Sequence, residues 1–371
     1  MSNEPTRPTN PPAGNPMNSS AVRWTAGVIA AIALIAVLRF KPWEKPVAPL
    51  DEKKRIGTSF GARQTLDVAF IPVTCHLTCP VTDFASATTT TGTRFDALRF
   101  TQFPDIVDSL KSKKLEAGFL TIPLAMKLRE QGVPIKICCL GHRDGSQIVI
   151  GKDDPAKSLV DLKGKTIAIP SQLSNESFLF HKVMQDQGLK PDDIKFLVLP
   201  PPDMPTSLAA KAIDGFVVAE PFCTKAEIDG SGRVLYYGSD LWPHYISCCL
   251  VVHEDLIKEK PEVVRDLVRG IVQSGEWAEK NRADAAKLVA PYFRQDEKLL
   301  NRILTSDPAR VTYIGLTPTD AEIEKVMDIG VQVGQLKKRT PVAELLDRDY
   351  IPSDPKPAAV DMTKFTGAVH P

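Results

Sequence analysis

The side chains best suited to chemistry fall into short groups along the sequence. Cys75, His76 and Cys79 set two thiols and an imidazole on one short stretch. Such soft donors hold zinc, copper or an organometal when a further group such as Glu220, Cys223 or Cys248 completes the set. A Cys75–Cys79 disulfide is an alternative in an oxidising compartment, although closing so short a loop is geometrically demanding. Polar contact with an ordinary solute is a third, with Thr74, His76 and Thr78 supplying hydrogen bonds. Ser171, Ser174 and Asn175 stand between a strand-like run and a helix-like one. There the free backbone N–H groups and positive helix end suit an anion, although the same residues serve as ordinary caps and Glu176 could satisfy the dipole itself. His142 and Arg143 offer a cationic contact, the guanidinium being the better fork for an oxyanion. Glu220 precedes Pro221 and reads as a helix cap or a cation ligand. Thr121 lies at a strand-to-helix junction, and Trp242, His244 and Tyr245 could fold over a ligand or simply pack.

None of these groups forms a reaction centre by motif. The sequence has no Gly-x-Ser-x-Gly, Walker loop, Gly-x-Gly-x-x-Gly or His-Glu-x-x-His. The expectation is therefore a protein that holds a small molecule without transforming it and without an organic cofactor, a bound metal ion being the one open addition. Charge excludes another class. In 371 residues, 46 Lys and Arg face 45 Asp and Glu, so no basic field points to nucleic acid.

The elements that must carry these residues begin after an unusual start. Residues 1–23 are rich in Pro, Asn, Ser and Thr and read as a disordered tail. Residues 24–40 contain an uncharged apolar run closed by Arg39, which reads as a membrane anchor or a signal segment. An uncleaved anchor is favoured, because the one small-residue cleavage pattern, Ala31-Ile32-Ala33, lies inside the run. Residues 41–63 read as a linker that holds the rest off the membrane, and 351–371 as a flexible tail. Of seven cysteines, the adjacent pairs 138–139 and 248–249 sit in strand-like runs and read mainly as packing residues.

From residue 66 onward, strands and helices alternate, which predicts parallel sheets covered by helices. Strands are expected at 66–73, 98–100, 117–120, 135–140 and 147–151, with a polar loop after the first. A second series starts near Ser158 and ends at 234–236. The apolar strand 246–252 follows, and the sequence then reads as almost entirely helical. In open α/β sheets ligands sit beyond the carboxyl ends of the strands, so the residues named above line one site if two such units face each other.

Leu115-Glu-Ala-Gly-Phe-Leu, Gly132-Val-Pro-Ile, the run from Ser158 to Pro170 and Lys211-Ala-Ile-Asp-Gly-Phe-Val-Val-Ala-Glu-Pro221 together resemble the solute-binding proteins of nitrate, sulfonate and bicarbonate importers and the related thiamine-precursor binding proteins. The resemblance covers about residues 66–336. It implies an α/β, bilobed type II periplasmic binding protein fold of two doubly wound lobes, with a helical C-terminal region packing on the first. Lobe 1 would comprise 64–151 and 246–350, and lobe 2 would comprise 152–245. It further implies an extracytoplasmic or periplasmic protein that delivers a small solute, foremost a small anion, to an ABC permease and its ATPase. In bicarbonate-binding relatives acidic residues hold calcium, a role open to Glu220. Where relatives usually read Ala-Lys-x-x-Gly-Phe-Phe, this sequence has the Cys75–Asp83 stretch, so its pocket chemistry can differ. The competing readings are a thiamine-pyrimidine synthase or precursor-binding protein, and a binder of thiol-seeking metal compounds through Cys75, His76 and Cys79.

Overall fold

The computed structural model describes residues 64–73 and 81–353. Thr74, Cys75, His76, Thr78 and Cys79, the tail, anchor and linker expected in 1–63, and most of the tail expected at 351–371 lie outside the described residues. Among the described residues no helix is long and apolar enough to cross a membrane.

The chain alternates through β1 (Thr65–Phe70), α1 (Val81–Thr88), β2 (Arg94–Arg99), α2 (Phe103–Lys111), β3 (Ala117–Thr121), α3 (Ile122–Glu130) and β4 (Ile135–Leu140). A short strand, β5 (Arg143–Asp144), lies in the crossing to β6 (Ser146–Gly151). Next come β7 (Thr166–Ile169), α4 (Asn175–Asp186), β8 (Lys195–Val198), α5 (Met204–Ala209), β9 (Gly215–Ala219), α6 (Phe222–Ile228), β10 (Gly232–Tyr237) and α7 (Gly238–Leu241). The chain then returns as β11 (Cys248–His253) and ends in α8 (Glu254–Glu259), α9 (Pro261–Lys280), α10 (Arg282–Phe293), α11 (Glu297–Leu304), β12 (Val311–Thr312), α12 (Asp320–Gln332) and α13 (Val342–Leu345).

Two five-stranded sheets result among the described residues, ordered β2-β1-β3-β11-β4 and β8-β7-β9-β6-β10. The orders correspond strand for strand. In each, the strand that follows a crossing takes the fourth place and runs against both neighbours. β3, β9 and β11 are buried along their whole length, as central strands covered on both faces must be. Their pairing turns the carboxyl ends of β3 and β4, and the start of β11, to one edge of the first sheet. β7, β9 and the start of β6 do the same in the second.

Three sequence expectations change. The strand at 147–151 was placed with lobe 1, but β6 pairs with β9 and β10, so the crossing comes earlier, at residues 141–145. The expected polar loop before β2 contains α1, whose Phe84 and Ala85 are buried. Its Ala, Ser and Thr content left no apolar stripe to read. The C-terminal helices also do more than cover the first lobe, because α12 contacts both α3 and α4, and α11 contacts α6.

Contact between α1 and α9 depends on one glycine. A Cβ at Gly270 would stand 2.5 Å from Ala85 Cβ and 2.9 Å from Ala85 Cα. Replacing Gly270 by alanine gains about 1 kcal/mol of helix propensity, but forcing the helices apart costs about 1–3 kcal/mol. Gly270→Ala should therefore lower the urea midpoint at unchanged slope. A raised midpoint would show that the two helices are not held this close.

Candidate functional site

The two crossings meet at a small ribbon. β5 pairs with β12, and Arg143 also bridges to Ile246 in the returning segment. Backbone at the turn is left-handed at Asp144, Gly145 and His244. Arg143 fastens the ribbon. Its guanidinium donates to the carbonyls of Gly315 at 2.7 Å, His244 at 3.0 Å and Thr317 at 3.2 Å, and it pairs with the Glu322 carboxylate. Its donors are thus committed to the hinge, and the cationic ligand contact expected of it is replaced by a structural role. Burial opposes ionisation of Glu322, yet the bonds from Arg143 and Thr319 hold its carboxyl below the usual range.

Between the sheets lies a seam of polar contacts. Thr121, at the end of β3, donates from Oγ1 to the Leu173 carbonyl at 2.8 Å. Asn175, opening α4, donates from Nδ2 to the Ser247 carbonyl and, at 3.4 Å, to Ser247 Oγ. Ser146, at the start of β6, donates from Oγ to Glu176 Oε1 at 2.9 Å, and its N–H donates to Tyr245 Oη at 3.0 Å. The sequence reading thus brings Thr121, Ser174 and Asn175 to one junction. Ser171 and Ser174 mainly shape the loop: Ser171 Oγ accepts from the Leu173 N–H at 3.1 Å, and Ser174 Oγ caps α4 by accepting from Ser177 at 3.0 Å.

From the sequence Glu176 reads only as a partner for the helix dipole, but it is buried at this seam. Desolvation, and after it the neighbouring Cys248 thiol, push its pKa up. Tyr245, Ser146 and Ser247 join it. The proximity of Ser146 to the crossing is visible only once β6 is assigned to the second sheet.

Other expected site residues lie apart. His142 is buried, with Nδ1 3.3 Å from the Arg143 carbonyl. Its side chain lies against Gly145 in the crossing. His244 has 79% of its side chain exposed and faces Asp144 at 3.6 Å. Glu220 points into a separate network, accepting from Gln147 Nε2 at 2.5 Å, Thr224 Oγ1 at 2.7 Å and Arg310 at 3.0 Å. Successive residues of a strand point to opposite faces, so the Ser146 and Gln147 networks occupy opposite faces of β6. With Glu220 so engaged, it is a structural anchor rather than the metal ligand that the sequence suggested. Burial raises the pKa of Cys138, Cys139, Cys223 and Cys249, which keeps them protonated packing residues. Cys223 donates to the Val218 carbonyl at 3.1 Å. Among the described residues no group of three His, Cys, Asp or Glu side chains could hold a metal ion.

This arrangement, two corresponding sheets with strand ends meeting across a seam and two chain crossings between them, defines a bilobed α/β fold. The chain belongs to the NMT1-like family, whose profile matches residues 61–291. It is 28% identical over 195 residues to the nitrate import ATP-binding protein NrtC of Synechocystis, covering 48% of this chain but spanning only 29% of that longer protein. It is 25% identical over 268 residues to a putative binding protein of Brucella abortus, covering 70% of this chain and 81% of that one. Among solved structures, the ligand-binding component of an ABC-type import system from Staphylococcus aureus, determined with zinc bound, superposes with a TM-score of 0.71 at 21% identity. That match covers 80% of this chain and all (100%) of the other. The periplasmic nitrate-binding protein NrtA of Synechocystis gives 0.69 at 15% identity, covering 80% and 92%. The fold is the type II periplasmic binding protein fold.

The hinge yields a test. Arg143→Ala strips a half-buried carboxylate and three carbonyls of their donor and should cost roughly 2–4 kcal/mol. Arg143→Lys should recover little, because an ammonium cannot reproduce the planar fork. Glu322 has a depressed pKa in the folded state, so its contribution is present above the unfolded value and is lost as pH falls through the folded one. Denaturation midpoints measured from pH 6 down to about 3 should therefore fall less steeply for Arg143→Ala than for the parent. Parallel slopes would remove the ion pair from the account.

Proposed function

We propose that this chain is the extracytoplasmic solute-binding component of an ABC importer, capturing a small solute between its lobes and presenting the closed form to a permease driven by an ATPase. The observation that carries this reading is the seam itself. Thr121 and Asn175 bond across between the two sheets, with the buried Ser146–Glu176 pair of the second sheet beside them, while two crossings and the β5–β12 ribbon supply a hinge. A ligand touching both sides shifts such an equilibrium by its differential affinity for the closed state. Support also comes from the import and binding proteins to which the chain is similar. The apolar run in 24–40 supports tethering to the membrane, with the folded lobes outside the cytoplasm.

In this reading the chain binds and releases but does not react. The groups that meet at the seam are hydroxyls, amides and one carboxylate, and the described cysteines away from it are buried, Cys138, Cys139 and Cys249 in strands and Cys223 in α6. Cys75, His76 and Cys79 are the residues whose types would suit a bound metal.

The test is a solute screen on the full-length chain in mild detergent. A solute at about a hundred times its Kd should add roughly 2.7 kcal/mol to folded-state stability, seen as a rise in Tm. Trp242 stands near the returning crossing and carries Lys325 4.4 Å above its ring, so tryptophan fluorescence should change with the same midpoint. A flat response to nitrate, bicarbonate, sulfonates, aminopyrimidines, amines and thiol-seeking metals alike would sink the proposal.

A further inference from the structure

Two of the polar atoms left without a partner at the seam belong to an amide and a carboxyl group. Asn175 Oδ1 and Glu176 Oε2 are shut off from solvent and have no hydrogen-bond partner. The Asn175 amide cannot be turned over, because its other end donates to the Ser247 carbonyl, which can only accept. Its free atom is therefore an acceptor. Glu176 Oε1 already accepts from the Ser146 hydroxyl, so in the ionised form its second oxygen is a further acceptor. Both residues belong to the first turn of α4. Ser177 Oγ on the same turn is also without a partner, but a hydroxyl can serve either way.

Several donors that would suit an anion are committed elsewhere. Ser174 Oγ and its carbonyl take the N–H groups of Ser177 and Phe178. The Glu176 carboxyl lies close to its own backbone N–H and to the Ser146 and Ser174 hydroxyls, which favour its charged form against the burial that opposes it. The positive end of the helix is thus matched by the chain's own carboxylate, and a second anion there would meet like charge. Arg143 serves the hinge and Arg310 serves Glu220.

We infer that the solute bound at this seam is a hydrogen-bond donor, an N–H-bearing or positively charged nitrogen compound held by Glu176 and Asn175, and not a small oxyanion. This rests on the solute-binding reading and replaces the anion expected from the sequence, which assumed a free helix end. Unpartnered buried acceptors are costly to retain, and a donor on the solute satisfies both at once. A nitrate or sulfonate oxygen would leave them unsatisfied.

Two probe series titrated into the full-length chain in mild detergent decide between the classes. The first comprises ethanolamine, putrescine and 4-aminopyrimidine, and the second nitrate, bicarbonate and ethanesulfonate. Saturable binding is expected in the nitrogen series alone. Glu176→Gln should weaken it at least tenfold, whereas Glu176→Asp, which keeps the charge, should retain most of it. Because the amide is close to isosteric with the carboxylate, the unliganded Tm of Glu176→Gln should match or exceed that of the parent, separating lost contact from lost fold. Binding of nitrate, bicarbonate or ethanesulfonate with equal or higher affinity in Glu176→Gln would overturn the inference while leaving the solute-binding reading intact. Failure of every probe in both series to bind would count against that reading and the inference together.

Discussion

Arg143 makes the two lobes one molecule. Three carbonyls and a carboxylate from separate stretches of chain converge on its guanidinium, and no other side chain could satisfy them together. Lysine lacks the planar fork, and a neutral amide lacks enough donors. Because one carbonyl comes from His244 in the returning crossing and two from Gly315 and Thr317 beyond β12, this cation ties both crossings to the C-terminal region. The lobes can then move about a fixed line instead of drifting apart as independent domains on a linker. Placing so many acceptors around one charge also excludes alternative registers of the short β5–β12 pairing, which its own backbone bonds could not specify.

The position of that line follows from sheet order. Each sheet is built from parallel strands with a single reversed strand in fourth place, and the reversed strand is the one that arrives from the other lobe. A strand entering from a crossing must begin at the edge facing its partner sheet, so it runs against neighbours whose carboxyl ends point there. Ligand-facing loops and hinge are therefore consequences of one arrangement. The seam residues come from strand ends (Thr121), strand starts (Ser146 and, just before β11, Ser247) and the first turn of a helix (Asn175, Glu176), positions that this geometry brings together among the described residues.

Much of this was legible in the sequence, and the failures have specific causes. The buried strands at 117–120 and 135–140 were found because continuous apolar runs bounded by Pro and Gly have few other readings. The loops after them followed from the rule that strand carboxyl ends bear ligand sites. Assigning β6 was not possible, since the run at 147–151 is equally apolar in either sheet and its partners are distant in sequence. Helix α1 escaped because its burial rests on Phe84, Ala85 and a glycine on α9, a close approach with no periodic signature. Arg143 was misread for a different reason: three of its partners are backbone carbonyls, and carbonyls look alike in every sequence. Glu176 looked like a surface cap because nothing in its neighbours shows that Ser146 and Cys248 will cover it.

The energetics of the seam explain how so few contacts can act as a sensor. Each hydrogen bond across it contributes only about 0.5–1.5 kcal/mol net, whereas each buried acceptor left alone costs about 1–3 kcal/mol. The bonds that Thr121 and Asn175 make across it and the two lone acceptors are therefore of comparable size and opposite sign. Turning a two-state equilibrium from 1:99 to 99:1 requires about 5.5 kcal/mol of differential binding, and satisfying Asn175 Oδ1 and Glu176 Oε2 supplies a large share of it. A seam whose polar groups were all paired internally would stay shut whatever was present. One without the internal bonds would demand more from a small solute than its few atoms can give. The combination of partly paired residues on α4 with paired residues on β3, β6 and the approach to β11 is what makes closure conditional on a ligand of the right polarity.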